Sequence, residues 1–260
     1  MKKLEDYLYY EEKDPDLKIY HGDCLEILPL LPNVDLVLTD PPYEKEAHTP
    51  MRRTRATLEG RLDVAELGFD AITNELRVGL LSIECNWILV FCQAEAVKTY
   101  QEIFDVSYRR PMVWIKPDSS PQFSGDRPAM GYESIVCAWR GNGKSRWNSG
   151  GKRGVYTHLA TSGRFGGHPT EKPLTLIREL SKDFYLGGLV LDPFLGSGTT
   201  LVACKELNRN GIGIEINEKY CEIAKKRLKA TCKPLFTDVS GARKSSAKEN
   251  GQNDTQLFAV

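Results

Sequence analysis

The chain has 260 residues, 41% of them hydrophobic and 27% charged, with 35 basic and 35 acidic side chains for a formal net charge of zero. That size accommodates one α/β domain with insertions, and the neutral total does not advertise a polyanionic partner, although a whole-chain figure hides local patches. No apolar run approaches the length of a membrane span, and the amino-terminal MKKLEDYLYYEEKD carries no secretory core. The seven cysteines (24, 85, 92, 137, 204, 221, 232) are scattered without C-x-x-C spacing. They read as free, mostly buried thiols in a reducing cytoplasm, not as disulfides or zinc ligands.

In chain order, residues 1–16 read as a loose lead-in, followed by a short strand at Leu17–Tyr20 ending in His21-Gly22-Asp23. A helix is predicted over Cys24–Leu31, with Asp23 as its cap. Asp35–Thr39 is a buried strand that stops at Asp40, Pro41, Pro42 and Tyr43. Two prolines cannot donate ladder hydrogen bonds, so they hold a carboxylate, a stiffened carbonyl and an aromatic ring together at a strand's carboxyl end, where open α/β sheets place ligands. Residues 44–61 are polar and basic and read as a loop, and an interrupted helix is expected over 64–81. Trp87–Cys92 is a fully apolar strand with a helix behind it at Ala94–Phe104. Arg110–Lys116 and Glu133–Trp139 are two further strands.

Residues 140–167 hold glycine at eight positions and six basic residues (Arg140, Lys144, Arg146, Lys152, Arg153, Arg164) with no acid. Such a composition builds no core of its own and reads as a surface insertion. HPTEKP at 168–173 leads into a helix at Leu174–Phe184, then a strand at 189–191 and DPFLGSGTT at 192–200. A helix to about Leu207, a strand at Ile212–Ile216 and a helix at Glu218–Lys229 complete the alternation, and residues beyond 236 form a polar, disordered tail. Alternating strands and helices imply a mostly parallel sheet covered on both faces.

DPFLGSGTT sits between a strand and a helix, where Gly196 and Gly198 allow close backbone approach to a ligand. It lacks the Lys of a P-loop and the spacing of a dinucleotide fingerprint, so the expected ligand is a nucleotide without a triphosphate. Glu215, 23 residues past Asp192, ends the next strand, at the distance where an acid grips ribose hydroxyls.

Taken together, DPPY at 40–43, HPTEKP at 168–173, F-x-G-x-G at 194–198 and the HGD at 21–23 resemble the β-class DNA amino-methyltransferases that use S-adenosylmethionine, in that family's circularly permuted order. The resemblance spans roughly residues 17–230. It implies a Rossmann-like class I methyltransferase fold with a seven-stranded sheet, in a catalytic domain of residues 1–236. It further implies that Asp192, Phe194, Gly196, Ser197, Gly198 and Thr199 line the cofactor, that Glu215 holds its ribose and that Asp23 faces its adenine. Thr170 and Lys172 would hold its carboxylate. Asp40 and the Pro41 carbonyl would accept the hydrogens of an exocyclic amino group, freeing its lone pair for in-line attack, while Tyr43 stacks on a base flipped out of double-stranded DNA. Neither a metal nor a membrane enters. Adenine N6 is favoured over cytosine N4, because aspartate at the first motif position is more typical of the adenine enzymes. RNA or protein-amide methylation and an inactive DNA-binding module are the competing readings.

Arg140, Lys144, Arg146, Lys152 and Arg153 of the insertion, with Arg52, Arg53 and Arg55, are the expected DNA contacts. The insertion is short for a recognition element, which leaves monomer and homodimer as alternatives. Gln256-Leu257-Phe258 reads as an unstructured end, with a docking peptide as the other reading.

Overall fold

In the computed structural model, residues 2–42, 73–122, 125, 128–160 and 171–233 are described. Tyr43, Arg52, Arg53, Arg55, Arg164 and Thr170 lie outside them, as do residues 44–72, where a loop and the start of a helix were expected, and the tail beyond 233.

Nine strands form one sheet: β1 (Leu8–Lys13), β2 (Asp16–His21), β3 (Leu36–Thr39), β4 (Trp87–Cys92), β5 (Tyr108–Ile115), β6 (Tyr132–Trp139), β7 (Val155–Thr157), β8 (Val190–Asp192) and β9 (Gly211–Glu215). Their spatial order is β1-β2-β9-β8-β3-β4-β6-β5-β7. From β2 to β4 every pairing is parallel; β1 against β2, and β6 against both its neighbours, are antiparallel. The α/β class, the parallel centre and the strands of residues 17–139 and 189–216 were all legible. Seven strands were expected. The two additional ones are the edges.

Each edge corrects a sequence reading. The amino-terminal residues are ordered, with a 3-10 turn at Leu4–Tyr7 and then β1. An irregularity in the β1–β2 register between Leu8 and Tyr10 lets two consecutive tyrosines face the last helix, where the Tyr9 hydroxyl donates to Glu222 at 3.0 Å and Lys229 caps the Tyr10 ring. At the other edge, β7 is built from the glycine-rich insertion and pairs in parallel with β5. The insertion contributes to the core after all, because Tyr156 is buried and Trp147 packs against Phe184.

Helices α1 (Cys24–Ile27), α2 (Asn74–Gly79) and α3 (Val97–Phe104) cover one face, and α4 (Leu174–Phe184), α5 (Thr199–Glu206) and α6 (Glu218–Ala230) the other. Strand alternation divides the core between them. Leu36 and Leu38 join Leu176, Leu180, Leu201 and Leu228 on one side, while Val37 joins Ile27, Leu80 and Tyr100 on the other. Six cysteines are buried and free, and Cys232 is free and exposed. No helix among the described residues is long and apolar enough to cross a membrane.

Candidate active site

The parallel strands β2, β9, β8 and β3 deliver their carboxyl ends to one rim of the sheet, and four sequence motifs arrive there side by side. β3 lies directly beside β8, with Val37 opposite Leu191. Asp40 therefore stands one strand away from Asp192. The two segments are tied together where the strands end: the Thr39 hydroxyl donates to Asp192 Oδ1 at 2.8 Å. The Thr200 hydroxyl donates to Asp192 Oδ2 at 2.6 Å, and the Phe194 N–H to Oδ1 at 3.1 Å. Asp192 is thus the buried knot that joins β3, β8 and the start of α5. Burial pushes its carboxyl up to about 6, against the pull of these three donors.

Past the knot, the loop turns through two left-handed glycines, Gly196 at φ 54° and Gly198 at φ 89°. Gly198 could not carry a side chain, since a Cβ there would meet Ala224 Cβ of α6 at 2.6 Å. A Cβ at Gly196 would meet nothing within 4 Å, so this turn fronts open space. The Gly196 N–H donates to Glu215 Oε2 at 2.8 Å, and the Asn217 N–H to Oε1 at 2.8 Å. Burial raises the Glu215 pKa while these backbone donors oppose it. The next strand end belongs to the HGD segment: His21 lies opposite Glu215 in register, the Gly22 N–H donates to the Glu215 carbonyl at 3.0 Å, and Asp23 caps α1 through Leu25 N–H at 2.8 Å. The open turn at Gly196, with Asp23 and Glu215 on the adjacent strand ends, fits a nucleoside-bearing cofactor laid along the rim.

Ser197 and Thr199 serve the loop itself. Arg227 of α6 donates to the Ser197 carbonyl and hydroxyl, both at 2.8 Å, and to the Thr199 hydroxyl at 3.1 Å. The same guanidinium meets Glu171 Oε1 at 2.6 Å, with both side chains almost wholly buried. Glu171 and Arg227 were not singled out by sequence. The signal was present in part, since Glu171 sits inside HPTEKP.

At the Asp40 end Lys172, expected to hold a cofactor carboxylate, has protein partners that the sequence did not point to. This buried ammonium pairs with Asp40 Oδ2 at 2.5 Å and Glu133 Oε2 at 3.3 Å. The physical reason is its depth: a lysine 7% exposed must find counter-charges within the protein. Burial opposes its charge, yet the two carboxylates hold its pKa above the ordinary value. Burial also raises Asp40, with Lys172 pulling it back and Glu133 adding to the rise. Asp40 Oδ1 is buried and has no hydrogen-bond partner among the described residues. Pro41 is buried and Pro42 half-buried beside it.

The expected DNA-contacting cations divide. Arg140 is turned inward, its guanidinium donating to the carbonyls of Leu81 at 2.6 Å and Ile83 at 2.9 Å. Lys152 clasps the insertion to α4 through Glu179 at 2.7 Å and Asp183 at 2.5 Å. Both satisfy carbonyls or carboxylates of the fold and do not form a surface patch. Lys144, Arg146 and Arg153 are exposed.

Comparison with known proteins agrees with this geometry. A family model described as DNA methylase, covering N6 and N4 amino-methylases, matches residues 34–226. The chain is 28% identical over 253 residues to the type II methyltransferase M.HinfI of Haemophilus influenzae, spanning 85% of this chain and 70% of that protein. It is 33% identical over 142 residues to M.SmaI of Serratia marcescens, 46% of each chain. Among solved structures, the M1.HpyAVI–SAM complex superposes with a TM-score of 0.63 at 25% identity, over 81% of this chain and 99% of that one. The cytosine-N4-specific PvuII DNA methyltransferase shares the fold, with a TM-score of 0.61 at 16% identity, over 81% and 86% of the two chains. The chain belongs to the N6/N4 DNA methylase family, the S-adenosylmethionine-dependent DNA methyltransferases.

Proposed function

We propose that this protein methylates the exocyclic N6 of adenine at a specific site in double-stranded DNA. The observation that carries the reading is the divided state of Asp40, with Oδ2 committed to Lys172 and Oδ1 buried and unpartnered among the described residues. A buried acceptor without a donor is costly, and an amino N–H is the group that would satisfy it. S-adenosylmethionine, when bound, supplies an electrophilic methyl on a positive sulfur. The chain's own contribution is alignment. Oδ1 of Asp40 accepts a hydrogen bond from one amino hydrogen and the Pro41 carbonyl from the other, so the nitrogen pyramidalises, its lone pair turns out of the ring plane, and the proton that the methylated amine sheds has Asp40 Oδ1 as its acceptor. Asp23, Glu215 and the Gly196 turn hold the nucleoside, and Tyr43 stacks on the flipped base. The aspartate at position 40 favours adenine over cytosine.

The test is to incubate DNA with enzyme and methyl-labelled cofactor, digest it, and identify the labelled nucleoside. Label on adenine N6 is expected; label on cytosine N4 would overturn the choice of base, and label only on RNA or peptide acceptors the choice of substrate. Asp40→Ala should lower the transfer rate by about 10²–10³-fold or more while leaving cofactor binding largely intact. Unchanged turnover would remove Asp40 from the mechanism.

A further inference from the structure

Behind Asp40 runs a line of alternating charges. Lys172 joins Asp40 to Glu133 Oε2, and Glu133 Oε1 pairs in turn with Lys116. The four residues come from four separate segments: the end of β3, the approach to α4, the start of β6 and the residue after β5. Register delivers the outer two. Glu133 lies opposite Trp114 in the β5–β6 pairing, next to Ser134, which is opposite Cys92 at the carboxyl end of β4. Aromatic rings floor the line, with Lys116 Nζ 4.6 Å from the Trp114 ring and Lys172 Nζ 5.1 Å from that of Phe91.

We propose that Glu133 and Lys116 are positioning residues for methyl transfer: together they seat Lys172 against Asp40 Oδ2, which leaves Oδ1 turned to the substrate amino group and sets the pH at which Asp40 is ionised. This rests on the reading of Asp40 as the amino-group acceptor. Two carboxylates and two ammoniums in alternation sum to zero charge, and each outer member biases the inner pair with a known sign. Removing the Glu133 charge leaves two ammoniums facing Asp40, whose anion then persists to lower pH. Removing Lys116 leaves Glu133 uncompensated and competing for Lys172, so Asp40 takes its proton at higher pH. Among the described residues, the charged groups bearing on Asp40 are Lys172, Glu133, Lys116 and Asp192, and the first three act on it with these signs. A packing role alone would lower activity or stability in both variants without moving the midpoints in opposite directions.

The experiment measures the rate of a single round of methyl transfer to DNA by the full chain, from acidic to mildly alkaline pH. Glu133→Gln should shift the acid midpoint down and Lys116→Met should shift it up, each on the order of one pH unit, while Lys116→Arg keeps the parent midpoint. Midpoints that stay put or move the same way in the two variants, with transfer still measurable, would overturn the assignment. Should Glu133→Gln fail to fold, the Lys116→Met and Lys116→Arg pair decides alone, since only the loss of charge is expected to raise the midpoint. No label on DNA from the parent enzyme would instead overturn the reading of the site, a result distinct from any of these.

Discussion

Asp192 shows how one side chain can tie three segments together. Its neighbours Thr39, Thr200 and the Phe194 N–H bind β3 to the glycine loop, but all three together do not offset the cost of burying the charge, and burial pushes its pKa up to about 6 against an ordinary 3.8. A carboxyl that holds its proton more tightly folded than unfolded stabilises the fold at low pH. The contribution is complete below the ordinary value and is lost as pH rises through about 6. Two pKa units correspond to roughly 3 kcal/mol. Asp192→Asn keeps the shape and removes the titration, so melting temperatures measured across this window should show the parent gaining stability on acidification relative to the variant.

Among the elements, the loop at 192–200 is held from below by one buried ion pair. Glu171 and Arg227 meet at 2.6 Å, and the same guanidinium reaches Ser197 and Thr199. Losing one partner strands the other without water, at a cost of about 3–5 kcal/mol, so Arg227→Met should be strongly destabilised in denaturant titration. Arg227→Met combined with Glu171→Met should recover much of the loss; a double variant as weak as the single one would refute the pair's role. These two residues also mark where sequence reading stopped. The strands of the parallel centre, the DPPY and glycine-loop junctions and the whole of helix Leu174–Phe184 could be read from apolar runs, prolines and glycines, because those signals are local. The partners of Lys172, Glu171 and Lys152 could not. They are 27 or more residues away and are chosen by burial and strand register. Composition misled for the same reason at 140–160, where a segment with no core of its own borrows one from β5 and α4.

Across the molecule, the basic residues sort by what they face. Arg140 and Lys152 satisfy groups inside the protein, whereas Lys144, Arg146 and Arg153 remain exposed on the insertion at the β7 edge of the sheet. Neutralising an exposed member should weaken DNA binding uniformly across sequences and reduce the slope of log affinity against log salt by about one for each phosphate left without its cation. Substituting Arg140 or Lys152 should leave that slope alone and lower the melting temperature instead. Salt titrations of single Gln variants separate the two groups; a slope change at Lys152 with unaltered stability would contradict its role as a clasp.

The β1–β2 hairpin is tied to the carboxyl-terminal half of the fold: Lys233 Nζ rests 2.6 Å from Asp14 Oδ1 in the turn between β1 and β2, and Lys205 of α5 meets Glu12 of β1 at 2.7 Å. A linker long enough to run back along β1 from Lys233 could bridge the two ends, and the chain could be cut open anew at Gly187, in the exposed connection ahead of β8. The rearranged protein would begin with the glycine loop and meet the DPP segment only afterwards, reversing the order in which a ribosome makes the two halves. Since β8 and β3 would still lie shoulder to shoulder, it should bind S-adenosylmethionine as the parent does, measured by calorimetry. Retained binding would mean that this site depends on which strands become neighbours and not on the order in which they are written; lost binding would mean that the order matters.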